Sequence, residues 1–263
     1  MYKIGWFSTG RDTAAQQLLR TVWRSIKRGE IKAEILFVFS NREPGEAKES
    51  DSFFKLVRSY RIPLICLSSN KFKQRLERRW RTRFEKEAMR KLEGFHPDLC
   101  LLAGYMLIVG EEMCRHYPMI NLHPAAPGGP KGTWQEVIWK LMEEAPGAAV
   151  ETGVMMHLVT PELDEGPPVA YCAFSLRGRS FARYWNEIEG LSIDELKARQ
   201  GERNLLFTQI RKHGLAREFP LIIATLKAFT EGMVRIEGGK VVDSAGEPIE
   251  GYNITEEIER KKR

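Results

Sequence analysis

Asn121 and His123 lie two positions apart in the run Met119-Ile120-Asn121-Leu122-His123-Pro124. On a strand, that spacing projects both side chains from one face. Pro124 has no N–H to give a ladder, so it ends such a strand and leaves the imidazole at its terminus. A carboxylate follows in Thr160-Pro161-Glu162-Leu163-Asp164-Glu165-Gly166-Pro167-Pro168, a turn-rich stretch between two apolar runs. A turn there can aim Asp164 back at the imidazole. An amide, an imidazole and an orienting carboxylate form a kit for acyl transfer to an amine, in which the tetrahedral centre carries a developing oxyanion. Asn121 and a protonated His123 would hold that charge, while Asp164 would favour the charged imidazole, orient the ring and help move protons. No Ser or Cys stands beside His123, so nothing local points to a covalent intermediate. His123 and His157 lack a convincing ligand set, so no metal is expected. Plainer roles stay open: Asn121 as a strand-end cap, His123 as a structural histidine, Asp164 as a turn former.

These residues need a scaffold, and the 263-residue chain is long enough for one large core or two modest domains. Its 43% hydrophobic and 29% charged residues are ordinary for a globular protein. No apolar run approaches the roughly 18–20 residues of a membrane span, so no membrane partner is expected. The start, Met1-Tyr2-Lys3-Ile4-Gly5-Trp6-Phe7, reads as a first strand rather than a signal peptide. Cys66, Cys100, Cys114 and Cys172 show no paired metal spacing and read as reduced thiols of a cytoplasmic protein. Much of the formal charge of +6 falls in residues 71–91, where Glu77, Glu85 and Glu87 are interleaved with lysine and arginine. That reads as one long solvated helix. With only Trp80 and Phe84 to stack on bases, the stretch argues against nucleic acid as a partner.

In chain order, strands are expected at residues 1–8, 33–40, 62–67, 98–103 and 119–123, alternating with helices at 14–28, 47–60, 71–91 and 110–116. Alternation of this kind predicts an α/β fold with a mostly parallel twisted sheet and helices on both faces. Ligands bind such sheets outside the carboxyl ends of the strands, which brings residues 8–12, 103–109 and 121–123 to one edge. Ser8-Thr9-Gly10-Arg11-Asp12 between the first strand and its helix has the make-up of an anion cradle, or equally of a capped tight turn. A helix is expected at 133–143 and strands at 152–160 and 169–176. Residues 183–231 read as mostly helical, with Pro220 at a start or kink. Val234 to Val242 around Gly238-Gly239 is a hairpin signal, and the charged tail 256–263 reads as frayed.

Asn121-Leu122-His123-Pro124, Pro130-Lys131-Gly132, Gly153 with His157, and Glu162-Leu163-Asp164-Glu165-Gly166-Pro167 together resemble the folate-dependent formyltransferases, in particular the branch that formylates glycinamide ribonucleotide. Val38-Phe39-Ser40-Asn41, Leu102-Ala103-Gly104-Tyr105-Met106 and Phe219-Pro220-Leu221-Ile222 extend the likeness over nearly the whole chain. The resemblance implies a single formyltransferase domain. Residues 1–123 would be a Rossmann-like, phosphate-binding half, and 124–263 a folate-binding half ending in helices and a β-hairpin. It implies Asn121, His123 and Asp164 as catalytic residues and 10-formyltetrahydrofolate as co-substrate, without a metal. Met106, Leu107, Ile108, Val109, His157, Leu163 and Asp164 would bind the folate. Ser8, Thr9, Gly10, Arg11, Asp12, Lys131, Gly132 and Glu218 would bind the acceptor, Glu218 standing in for a family glutamate whose own position is Leu215. The partners would be small molecules, with a homodimer left open. Other readings keep the chemistry on another amine, such as an amino sugar nucleotide, or replace it with 10-formyltetrahydrofolate hydrolysis or non-catalytic folate or RNA binding.

Overall fold

The computed structural model describes residues 1–76, 79–144, 151–178 and 180–261. The N-terminal half alternates strand and helix: β1 (Tyr2–Phe7), α1 (Thr13–Lys27), β2 (Ala33–Ser40), α2 (Lys48–Ser59) and β3 (Leu64–Cys66). It continues with α3 (Ser69–Leu76), α4 (Trp80–Leu92), β4 (Leu99–Leu102), α5 (Glu111–His116) and β5 (Met119–His123). Then come α6 (Trp134–Glu144), β6 (Glu151–Leu158), β7 (Pro168–Ser175), α7 (Ala182–Glu187), α8 (Ile193–Arg199) and α9 (Leu205–Thr230). The chain ends in β8 (Val234–Glu237), β9 (Lys240–Asp243), β10 (Tyr252–Asn253) and α10 (Thr255–Lys261).

Eight strands form one sheet in the order β10-β7-β6-β5-β4-β1-β2-β3. Pairing is parallel throughout except for β5 with β6 and β6 with β7, so the expected mostly parallel sheet is what forms. The order runs outward from β1 to β3 and then returns to β4 on the other side of β1. That reversal is the switch point at which such sheets open a crevice. Strand parity separates the two faces. Ile4, Trp6, Leu99, Leu101 and Ile120 pack on one side with Leu19 and Val22 of α1, Phe53 of α2 and Leu221 and Leu226 of α9. Phe7, Phe37, Cys100, Leu102 and Met119 pack on the other with Phe84 and Ala88 of α4 and Met113 of α5. A third cluster joins α6, α7, α8 and the first turns of α9 through residues such as Leu141, Tyr184, Leu196 and Phe207.

Three expectations change. The basic stretch is not one helix: α3 and α4 are separate and pack against each other, tied down by Phe72 and Trp80 on the buried Phe84. Residues 77 and 78, which the long helix would have spanned, lie outside the described residues. The tail is not frayed as far as Lys261. β10 adds in parallel to β7, and α10 follows it with Ile254 and Ile258 buried and Glu259 paired to the buried Arg217 at 2.7 Å. Burial of two isoleucines supplies what the charged composition concealed. Residues 262–263 are outside the described set. Of the two roles expected for Pro220, a helix start is ruled out, because it lies inside α9. The hairpin forms as expected, with Gly238 and Gly239 at φ of 56° and 76°, the left-handed pair a two-residue turn requires.

Candidate active site

Asn121 and His123 share the face of β5 that carries Met119, and β6 runs antiparallel beside them with His157 opposite Asn121. The loop from β6 to β7 brings Asp164 over the end of β5. Asp164 has φ 54°, a left-handed conformation that short Asp side chains tolerate. Gly166 sets the same turn, because a Cβ there would collide with the Leu158 carbonyl. Asp164 Oδ2 thus comes to 3.6 Å from His123 Nδ1, and Oδ1 to 3.6 Å from His157 Nε2. Gly132 donates its backbone N–H to Asp164 Oδ2 at 3.1 Å.

Backbone carbonyls fix both tautomers. His123 Nε2 lies 2.9 Å from the Pro130 carbonyl and His157 Nδ1 lies 2.9 Å from the Leu158 carbonyl. A carbonyl only accepts, so each of those nitrogens carries hydrogen. The other nitrogens, His123 Nδ1 and His157 Nε2, are the ones turned toward Asp164. His157 Nε2 also accepts from Asn121 Nδ2 at 3.1 Å, which leaves the second amide N–H of Asn121 without a hydrogen bond among the described residues.

Burial pushes the pKa of His123 below its ordinary value, outweighing the Pro130 carbonyl and the Asp164 carboxylate, which pull it up. Burial thus favours the neutral form of the resting imidazole, so a charged His123 would have to form during reaction. Burial raises the Asp164 carboxyl, but His157, His123 and the Gly132 N–H together outweigh it and leave it below the ordinary range. At His123 the carboxylate thus faces an imine-type nitrogen. The ligand-type atoms of His123, His157 and Asp164 lie within 4.8 Å of one another, so the structure brings together a possible metal-ligand set that the sequence did not suggest. A proton gained at His123 would answer the same negative charge.

The cluster opens into a cavity of about 340 Å³, a size suited to small ligands. Met106, Leu107, Ile108 and Val109 line it, as do His157, Leu163 and Asp164, all expected on the folate side. Met106, Ile108 and Leu163 are three of the eight large hydrophobic residues left exposed among the described residues, and they share this one mouth. An apolar lip of that kind suits a flat aromatic ligand. The Leu107 and Ile108 backbone groups make no hydrogen bond among the described residues, which leaves them for a ligand's polar edge. Thr9 moors the loop: its hydroxyl accepts from the Met106 N–H at 3.0 Å and donates to Asn41 at 2.6 Å.

The acceptor-side expectations divide. Arg11, Asp12, Gly132 and Glu218 line the cavity. Ser8, Thr9 and Gly10 do not: both hydroxyls are buried, Ser8 Oγ accepts the Gly10 N–H, and Thr9 is committed as above. Lys131 stands outside, with its ammonium 2.6 Å from Glu165. Asp12 caps α1, accepting the Ala15 N–H at 2.9 Å, so a carboxylate already occupies the helix end proposed as a phosphate cradle. Several lining residues were not among the expected site residues, Leu18, Trp134 and Arg211 among them. The seven-residue spacing of Arg211 and Glu218 on one helix was the only available signal for the last of them.

The fold and this cluster define an α/β enzyme built for group transfer at a sheet edge. Residues 6–176 match the model of the formyl transferase family, and the chain belongs to it. Over 242 residues it is 25% identical to the phosphoribosylglycinamide formyltransferase of Escherichia coli (strain K12), covering 90% of this chain and 94% of that one. A formyltetrahydrofolate deformylase of Bacillus subtilis (strain 168) is 33% identical over 146 residues, 53% of this chain and 40% of that protein. Among solved structures, the phosphoribosylglycinamide formyltransferase of Coxiella burnetii has the same fold, with a TM-score of 0.66 at 21% identity over 96% of this chain and 98% of that one. Among the described residues no helix is long and apolar enough to cross a membrane.

Proposed function

We propose that this protein transfers the formyl group of 10-formyltetrahydrofolate to the primary amine of glycinamide ribonucleotide, in the cytoplasm and as a single-domain enzyme. The convergence of Asn121, His123 and Asp164 on one cavity carries the reading. The folate supplies the formyl group, its ring system packing on Met106, Ile108 and Leu163 with polar edges on the backbone of residues 106–109. The free N–H of Asn121 points charge stabilisation at the carbonyl oxygen, where one such donor is worth about 10²–10³ in rate. His123 Nδ1, unprotonated at rest, takes the proton released by the attacking amine. Asp164 then faces an imidazolium rather than a lone pair, which stabilises the charged ring as it forms. The same imidazolium returns the proton to the departing nitrogen, so the protein ends with the charge it began with. His157 holds Asn121 in register through its fixed tautomer. No metal enters this sequence.

The likeness to a deformylase supports a second reading, in which water replaces the amine. One assay separates them: purified protein with 10-formyltetrahydrofolate, with and without glycinamide ribonucleotide, followed by tetrahydrofolate absorbance and by product mass. Formylated amine supports transfer. Formate released at the same rate with or without amine rejects it.

A further inference from the structure

Met106 to Val109 line the cavity, and Gly110 follows them as the N-cap of α5. Side chains from elsewhere in the chain pin this loop at both ends. Thr9 Oγ1 receives the Met106 N–H at one end. At the other, Gly110 donates its N–H to Glu85 Oε1 of α4. Between the pins, the backbone groups of Leu107 and Ile108 make no hydrogen bond among the described residues. Where those groups stand therefore depends on where the two ends are held.

Glu85 does for α5 what α5 cannot do for itself. In a capping box, a Glu or Gln at the third helical position reaches back to the N-cap N–H. In α5 that position is Met113, which is buried and apolar. Glu85 replaces it from another helix, on the side of α4 that also buries Phe84, Ala88 and Leu92. It faces Leu107, Ile108 and Val109 across a narrow crevice lined as well by Trp80 and Phe84. Burial pushes the Glu85 carboxyl above its ordinary range, and Glu112 adds to this, against the opposite pull of the Gly110 N–H and Arg81. A carboxylate here thus costs the fold stability, which an apolar residue in the same stripe would not. What it contributes is the position of Gly110. Gly110 in turn is shaped to the contact: its φ of −84° is open to any L residue, but a Cβ there would run into the Glu85 carboxylate.

We propose that Glu85 is a positioning residue for the folate, holding Gly110 so that the Leu107 and Ile108 backbone groups stand against the polar edge of the donor. The proposal rests on the formyl-transfer reading and adds to it a residue that does not line the cavity. It makes the affinity for the donor, and not for the amine, depend on α4.

The test compares wild type with Glu85→Leu, Glu85→Gln, Gly110→Ala and the double variant Glu85→Leu/Gly110→Ala. For each, KM is measured for 10-formyltetrahydrofolate and for glycinamide ribonucleotide, together with Tm and amide hydrogen exchange of the unliganded protein. Glu85→Leu removes the acceptor oxygen, and Gly110→Ala pushes the carboxylate aside, because a flexible side chain yields before backbone does. Each is expected to raise the folate KM roughly 10-fold, the worth of one hydrogen bond to a charged group. The amine KM stays within about twofold of wild type, and exchange at residues 107–110 speeds up. The double variant rises no further than either single one, because both break the same contact. Glu85→Gln keeps an acceptor oxygen and stays near wild type in folate KM and in exchange. A folate KM within about twofold of wild type in Glu85→Leu and Gly110→Ala, or one that rises only in step with the amine KM, would overturn the proposal even where Tm falls. A wild type that does not take 10-formyltetrahydrofolate as donor would overturn the transfer reading, and this proposal with it.

Discussion

His123 Nδ1 and Asp164 Oδ2 lie 3.6 Å apart, with the opposite nitrogen of the same ring held 2.9 Å from the Pro130 carbonyl. An imidazole arranged this way in its neutral form points electrons at a carboxylate, which is unfavourable until a proton arrives. The carbonyl of Pro130 therefore matters as much as Asp164. It denies the ring its other tautomer and reserves Nδ1 as the atom that gains charge during reaction.

The acid limb of kcat/KM is expected to report this ring. Burial holds the His123 pKa below its ordinary 6.5, so activity stays level through neutral pH and falls only below that value. Stability follows the same sign. The unfolded chain binds a proton that the folded chain resists, so this group's contribution is complete above about 6.5 and is lost as pH falls through the folded value. The Asp164 contribution, also from a lowered pKa, survives to more acidic pH and is lost as pH falls through its own depressed value, below 3.8. A rate profile with its inflection above pH 7 would show that the charged ring is the resting form.

Asn121→Ala and His123→Ala are expected to abolish measurable transfer while circular dichroism and Tm stay close to wild type. Asp164→Asn retains an acceptor for the Gly132 N–H but loses the charge that favours the imidazolium, so kcat should fall about 10²–10⁴-fold. Folate binding, followed by quenching of tryptophan fluorescence, should persist in Asn121→Ala. Wild-type kcat in any of the three would remove that residue from the chemistry.

Much of this site was legible before the fold. The two-residue spacing on an apolar run placed Asn121 and His123 together, because strand geometry leaves no other choice for residues of that parity. The turn residues around Asp164 announced a bend. What the sequence did not carry was the environment. Whether His123 is charged depends on how deeply β5, β6 and the Pro130 loop bury it, and burial is a sum over residues far apart in the chain. The anion cradle is hard to read from sequence for a related reason. Ser8, Thr9 and Gly10 have the right types, but their polar groups are consumed by one another, by Asn41 and by the Met106 amide. Arg211 was missed because it meets the cavity beside the Trp134 ring, and neither is local to it in the chain.

Gly166→Ala tests the turn that aims Asp164. The new Cβ collides with the Leu158 carbonyl, a backbone atom at the end of β6 that already accepts from His157 Nδ1, so the loop must move. Overpacking of this kind costs about 1–3 kcal/mol. For a chain of this size each kcal/mol corresponds to roughly 2–4 °C in Tm. Activity should fall further than stability explains, because Asp164 moves with the loop. A variant with lowered Tm but unchanged kcat would show that the carboxylate position is not set by this residue.

His123, His157 and Asp164 present two imidazole nitrogens and a carboxylate within 4.8 Å, each ring fixed through its other nitrogen by a backbone carbonyl. That is the supporting arrangement metal-binding histidines use. The proposed chemistry asks instead that His123 Nδ1 be free to take a proton. Enzyme dialysed against EDTA should therefore keep full transfer activity, and added Zn2+ should inhibit it by occupying the nitrogen the reaction needs. Inhibition should weaken in His157→Gln, which removes one ligand atom. Activity lost to EDTA and restored by Zn2+, with one equivalent of metal bound by mass spectrometry, would assign the cluster to a metal and displace His123 as the proton acceptor.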